Sequence, residues 1–79
     1  MFLHIGQDTM IPLGELISVI DLKKEPSALN QEFLKTAEDE GFVVQLSSEP
    51  VSLVVCSHNI YLSPISAKTL SKRARDMFI

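Results

Sequence analysis

The stretch VSLVVCSHNIYLSPIS, residues 51–66, decides the fold class of this chain. Residues 51–56 are rich in valine and leucine and predict a strand, the polar residues 57–59 predict a turn, and residues 60–63 predict a second strand. A proline then stops the second strand, and Ser66 is a good N-cap for a following helix. The stretch therefore predicts a strand, a turn, a strand and a helix in that order.

Four further strands are predicted ahead of this stretch. Residues 2–5 and 10–13 form short strands, and Pro12 restricts the second of them to an edge. Residues 42–46 join the two strands above in a three-stranded antiparallel meander. Residues 15–22 are apolar at odd and even positions alike, which predicts a central strand covered on both sides. Strict alternation places the even-numbered residues of this strand on one face and the odd-numbered residues on the other.

Two helices are predicted. The first begins near Pro26, which suits a first helical turn, and runs to about Glu40, with Gly41 as the left-handed residue that ends it. Its apolar stripe is formed by Leu29, Phe33, Leu34 and Ala37. The second helix runs from Ala67 to about Phe78, with an apolar stripe formed by Ala67, Leu70, Ala74, Met77 and Phe78.

These elements predict one α+β domain over residues 1–79. It holds a small antiparallel sheet of about five or six short strands, one central helix and one C-terminal amphipathic helix. The single cysteine leaves no intrachain disulfide and no Cys-rich metal site to support so small a core. Because 46% of the residues are apolar, we expect a homo-oligomer that covers the excess apolar surface, and the alternative is a monomer with a tight core.

The net charge of −3 hides an asymmetry between the body of the chain and its C-terminal end. Residues 1–64 carry three lysines against nine acidic residues, a net charge of −6. Residues 65–79 carry four basic residues against one acidic residue, a net charge of +3. An acidic body with a basic end is a weak indication of a nucleic acid or an acidic protein as partner.

The basic residues fall on one side of the second helix. At about 100° per residue, Lys68, Lys72 and Arg75 lie opposite the apolar stripe, and Arg73 lies near its border. These four residues are the candidates for contact with DNA phosphates. The alternative is the solvated face of an ordinary amphipathic helix, since no aromatic platform for bases accompanies it.

The sequence gives little support for a catalytic site or a metal site. In a strand, Cys56 and His58 would share a face about 7 Å apart, which is too far for a nucleophile and its base. His4 is the only other histidine, and no paired ligand spacing is present. The acids at 38–40 could bind a hard cation, contact the basic helix of another copy, or form a solvated helix end. We predict no enzyme, no cofactor, no metal ion and no small-molecule substrate.

The same chain is expected in the cytoplasm. Residues 1–6 lack a basic region, and their apolar run is too short for a secretory signal. No run approaches the roughly 20 apolar residues that a membrane span needs, so no membrane contact is expected. A lone cysteine suits a reducing compartment.

Several runs carry a resemblance to a known family: FLHIGQD at 2–8, ISVID at 17–21, NIYLSPIS at 59–66 and TLSKRA at 69–74. Over essentially its whole length the chain resembles the RemB branch of the RemA/RemB family of small extracellular-matrix regulatory proteins of Firmicutes. The resemblance implies a cytoplasmic regulator connected with biofilm matrix genes. The RemA branch contains DNA-binding transcription activators that assemble into rings of identical subunits and wrap DNA on them.

The chain departs from the RemA pattern at the positions that carry DNA contact in that branch. Glu15 stands where RemA has an arginine, and Glu49 and Pro50 stand where it has a pair of arginines. An acidic side chain repels phosphate, so the four basic residues of the second helix are the available set. Two hypotheses stay open: a homo-oligomeric, DNA-associated regulator, and a protein-interaction or assembly module that has lost direct DNA binding.

Overall fold

The computed structural model describes residues 1–29 and 31–77. The strands and α-helices of this part are β1 (Phe2–Gly6), β2 (Thr9–Pro12), β3 (Leu16–Asp21), α1 (Gln31–Asp39), β4 (Val43–Gln45), β5 (Ser52–Cys56), β6 (Ile60–Ser63) and α2 (Ala67–Asp76). Two short 3-10 turns, Leu13–Glu15 and Pro26–Leu29, precede β3 and α1. The predicted α+β class, with one helix between strands and one after them, is confirmed.

The strands form two sheets. β1 and β2 pair as an antiparallel hairpin, and the other four strands lie in the order β3-β5-β6-β4. β5 is antiparallel to both of its neighbours, but β4 pairs with β6 in parallel, so the predicted antiparallel meander is wrong at β4. The reason is the connection between β4 and β5, which passes across the end of β6. Its first and last residues donate backbone hydrogen bonds to β6, from Leu46 to Leu62 and from Val51 to Ser63.

The third strand lies at an edge of its sheet, whereas its apolar composition predicts a central position. Leu16 pairs with Cys56 and Ser18 with Val55, so Ile17 is the extra residue of a β-bulge. The bulge shifts the alternation by one residue, and the strict alternation predicted for residues 15–22 is therefore wrong. Leu16 and Val19 pack against the same core cluster, and the Ile17 side chain is 66% exposed.

The core lies on both faces of the four-stranded sheet. One cluster joins the hairpin and α2 to β5 through Leu3, Ile5, Ile11, Leu46, Val54, Cys56 and Leu70. The other cluster joins Leu22, Leu53 and Leu62, with Ala28 packed against it. The hairpin and α2 therefore cover one face, and the segment after β3 covers the other.

The helix ends follow the predicted signals. Gly41 adopts a left-handed φ of 78°, and the N–H groups of Gly41 and Phe42 donate to the carbonyls of Glu38 and Ala37. Ser66 caps α2 by accepting a hydrogen bond from the N–H of Thr69 at 3.2 Å.

Two parts of the helix predictions need comment. The predicted first helix is divided, because a 3-10 turn at Pro26–Leu29 precedes α1. The side chains of Leu29 and Phe33 and the whole of Phe78 lie outside the described residues. No helix within residues 1–29 and 31–77 is long and apolar enough to cross a membrane.

Candidate nucleic-acid interface

The outer face of α2 is basic. Lys68, Lys72 and Arg75 are exposed, and none of them forms an ion pair with another residue of the described ranges. Leu70, on the opposite side of the helix, is 0% exposed and packs in the core beneath it. The buried Leu70 therefore fixes which side of α2 faces solvent, and that side carries the three cations, which we call the basic face.

Arg73 has a different environment from these three residues. Its Nη1 donates a hydrogen bond to the backbone carbonyl of His4 in β1, 3.2 Å away. On the other flank of the helix, Ser71 and Ala74 line a groove beside β3. Because α2 lies between β1 and β3, Arg73 belongs to the contact with the hairpin, and the basic face lies beyond both contacts.

Two buried serines hold the segment that leads into α2. Ser63 donates from Oγ to the carbonyl of Ile5, and its Oγ accepts from the N–H of Ile65 at 3.0 Å. Ser52 donates from Oγ to the carbonyl of Ile65 at 2.7 Å. Both serines are 0% exposed, so these bonds satisfy hydroxyl groups that would otherwise be costly to bury. These hydrogen bonds were not predicted from the sequence. The signal that could have indicated them is a serine at an inward-facing position of a strand.

The three positions at which the resemblance led us to expect arginines do not line one surface. Glu15 precedes β3, and Glu49 and Pro50 precede β5. Since β3 and β5 are antiparallel, these positions lie at opposite ends of the sheet. Glu15 is exposed, with its Oε1 3.9 Å from Nδ1 of His58. Glu49 is exposed, and its backbone N–H donates to Oγ of Ser47 at 3.1 Å. Neither carboxylate would attract a phosphate.

Cys56 and His58 are not arranged as a nucleophile and its base. Cys56 is buried, and burial together with the nearby Glu15 carboxylate raises the pKa of its thiol. The neutral thiol is thus favoured over the nucleophilic thiolate. The exposed His58 contacts Oγ of Ser57 at 3.1 Å instead. Within the part of the chain that the structure describes, no three His, Cys, Asp or Glu side chains are grouped to hold a metal ion.

The acidic residues at the end of α1 form an exposed corner. Glu38, Asp39 and Glu40 are exposed, and the last turn of α1 holds no basic residue. Phe42 follows after Gly41 and is 48% exposed. We call residues 38–42 the α1 corner. It combines three negative charges with one accessible aromatic ring.

Two comparisons with known proteins show the family of this chain. The profile of the RemA-like family, described as extracellular matrix regulatory protein A-like, matches residues 2–74. The chain is also 37% identical, over 78 residues, to the extracellular matrix regulatory protein B of Bacillus subtilis (strain 168). That alignment covers 99% of this chain and 95% of the relative. Both descriptions name regulatory proteins rather than enzymes. The chain therefore belongs to the RemA-like family of extracellular matrix regulatory proteins.

Proposed function

We propose that this chain is a cytoplasmic, homo-oligomeric regulator of extracellular-matrix gene expression that associates with DNA through α2. The observation that carries the proposal is the basic face of Lys68, Lys72 and Arg75, which is exposed and free of ion pairs within the described ranges. The family descriptions supply the regulatory role. The basic face supplies a positively charged surface on a chain whose net charge is −3.

The chemistry of the basic face suits the DNA backbone. From Lys68 to Arg75 the helix advances about 10 Å at 1.5 Å per residue, so the cations can reach more than one phosphate. Binding of this kind releases counterions and weakens steeply with salt. Phosphate contacts position a protein on the duplex without reading its sequence. We therefore expect modest sequence preference from a single copy.

Self-association would place several basic faces on one assembly. The described residues include five exposed large apolar side chains, which are Met1, Phe2, Met10, Ile17 and Phe42. Exposed apolar surface of this extent favours association between copies. Each added copy brings further cations to the same DNA molecule, and linked weak contacts bind far more tightly than one.

A binding titration against salt tests the proposal. The full chain should bind both its own regulatory DNA and bulk DNA at low ionic strength, and it should release them as salt increases. A Lys68→Glu/Lys72→Glu double change should weaken binding to all DNA sequences by a similar factor. Absence of salt-dependent binding to either DNA would refute DNA association.

The exposed acids of the α1 corner favour a second candidate function, an assembly module that does not bind DNA. In it the basic face of one copy meets Glu38, Asp39 and Glu40 of another. Self-association should then weaken in high salt and after charge reversal at Lys72. Light scattering at low and high salt measures both effects. An assembly that is indifferent to salt and to this reversal would exclude the contact.

A further inference from the structure

A groove runs between the edge strand β3 and the flank of α2. Its volume is about 310 Å³, and it is lined by Leu13, Leu16, Ile17, Ser18, Val19, Ser71 and Ala74. We call it the β3–α2 groove. Its lining is mostly apolar, whereas the DNA-facing surface proposed above consists of charged side chains. The groove therefore needs an occupant other than a phosphate backbone.

The bulge in β3 shapes this groove. Without an extra residue at Ile17, the side chains of β3 would alternate regularly between the two faces of the sheet. The bulge leaves Ile17 66% exposed at the groove and interrupts the strand edge. Bulges commonly re-aim a side chain next to a functional surface. Here the re-aimed side chain is a branched apolar one that solvent does not favour.

One basic residue, Arg75, lies beside the groove. Arg75 follows Ala74 in sequence and stands one helical turn after Ser71, and both of these residues line the groove. Arg75 is exposed and forms no ion pair within residues 1–29 and 31–77. An occupant that combines an apolar side chain with negative charge would match both the lining and this residue.

The α1 corner has this chemistry. It presents the half-exposed Phe42 directly after three exposed acidic residues, whose charges are opposite to that of Arg75. We propose that the β3–α2 groove receives the α1 corner of a second copy of this chain. Phe42 enters the groove against Ile17, and the acids pair with Arg75. This contact deepens the self-association in the proposed function and rests on that part of it.

The contact joins two different surfaces of the molecule, so it is heterologous. Each copy keeps one free groove and one free corner, and growth continues until a ring closes or a filament forms. Around the axis of α2, Lys68 and Lys72 lie farther from Ser71 and Ala74 than Arg75 does, so they stay available to phosphates. Assembly would thus repeat the DNA-facing residues at regular intervals.

Sedimentation velocity of the full chain and its variants tests the contact. Wild type should sediment as an assembly at low salt. Ile17→Asp disables the groove and Phe42→Ser disables the corner, and each variant should sediment as a monomer. Met10→Ser removes an exposed apolar side chain of β2 outside the contact, so it should assemble as wild type does. Because all three positions are exposed, folding should survive, which circular dichroism checks.

Mixing the two disabled variants gives the decisive result. Phe42→Ser retains a groove and Ile17→Asp retains a corner, so a 1:1 mixture should form a dimer that cannot grow. A mixture that stays monomeric, a monomeric wild type, or an Ile17→Asp variant that still assembles would each overturn the proposal. Arg75→Glu should also disassemble the protein, and a matching Glu38→Arg/Asp39→Arg/Glu40→Arg change in a partner copy should restore the pair.

The same variants separate this contact from DNA association. Phe42→Ser retains Lys68, Lys72 and Arg75, so its monomer should still bind DNA in a salt-dependent way if the basic face is the DNA surface. Lys68→Glu/Lys72→Glu should lose DNA binding and keep the assembly. Failure of the mixing experiment leaves the DNA titration unaffected, and failure of the titration leaves the mixing result unaffected.

Discussion

Nη1 of Arg73 lies 3.2 Å from the carbonyl oxygen of His4 and donates a hydrogen bond to it, which ties α2 to β1. The two residues are 69 positions apart in sequence. This bond divides the four basic residues of the C-terminal segment into one that contacts the fold and three that face solvent. The division predicts different consequences when each is removed.

Removal of the Arg73 side chain should mainly reduce the stability of the fold rather than its affinity for DNA. Arg73→Ala loses a charge-assisted hydrogen bond at the surface, so the free energy of unfolding should fall by about 1 kcal/mol. Lys72→Ala should leave it within about 0.5 kcal/mol of wild type. Urea unfolding measures both. Equal stability of the two variants would contradict the assignment of Arg73 to the hairpin contact.

Glycine is required at Gly6 and not at Gly14. Gly6 has a φ of 137°, and a Cβ built there would lie 2.8 Å from Cδ of Pro64. Gly14 has no atom within 4 Å of such a Cβ. Gly6→Ala should therefore destabilise the protein by more than about 1 kcal/mol, because backbone strain adds to the steric clash. Gly14→Ala should have little effect. Thermal unfolding that gives the same loss for both variants would refute this distinction.

The buried hydroxyl of Ser63 should contribute measurably to stability. Ser63→Ala leaves the carbonyl of Ile5 and the N–H of Ile65 without their partner, at a cost of about 1 to 3 kcal/mol. Ser48→Ala, at an exposed position, is the matched control and should be nearly neutral. Chemical unfolding of the two variants makes the comparison. A neutral Ser63→Ala would mean that these bonds do not hold the link to α2.

The Cys56 thiol should ionise at a higher pH in the folded protein than in the unfolded chain. Burial and the Glu15 carboxylate raise its pKa, in that order of importance. Below the unfolded-state pKa both states hold the proton, so this group costs no stability there. As the pH rises through the unfolded-state pKa toward the folded-state pKa, the unfolded state is favoured and stability falls.

Thiol alkylation measured against pH checks this direction. The alkylation midpoint in native buffer should lie above the midpoint in concentrated urea. A native midpoint at or below the urea value would contradict the buried, neutral thiol.

Local patterns correctly predicted the end of α1, the start of α2 and the exposure of Lys68, Lys72 and Arg75 opposite Leu70, but not the start of α1. These features depend on residues within about two helical turns of one another. They are the Ser66 N-cap, the left-handed Gly41 at the end of α1, and the spacing of Leu70 from the cations of α2. The strand positions were also predicted closely, because β-branched runs and intervening turn residues are local signals.

Long-range pairing was not encoded in those patterns. The edge position of β3 and the parallel pairing of β4 depend on which strands pair with each other. In addition, the single bulge at Ile17 changes which face of the sheet the preceding side chains of β3 point to. The partner of Arg73 could not be predicted either, because it is a backbone carbonyl in a hairpin at the other end of the chain.

The slope of DNA affinity against salt concentration tests DNA association through the basic face most directly. Lys72→Gln removes one cation from that face, so the slope of log K against log salt should fall by about 0.9 for each bound copy. Lys35→Gln removes one exposed cation from α1 and should leave the slope unchanged. A wild-type slope that persists in Lys72→Gln, or an equal fall in both variants, would contradict DNA binding through α2.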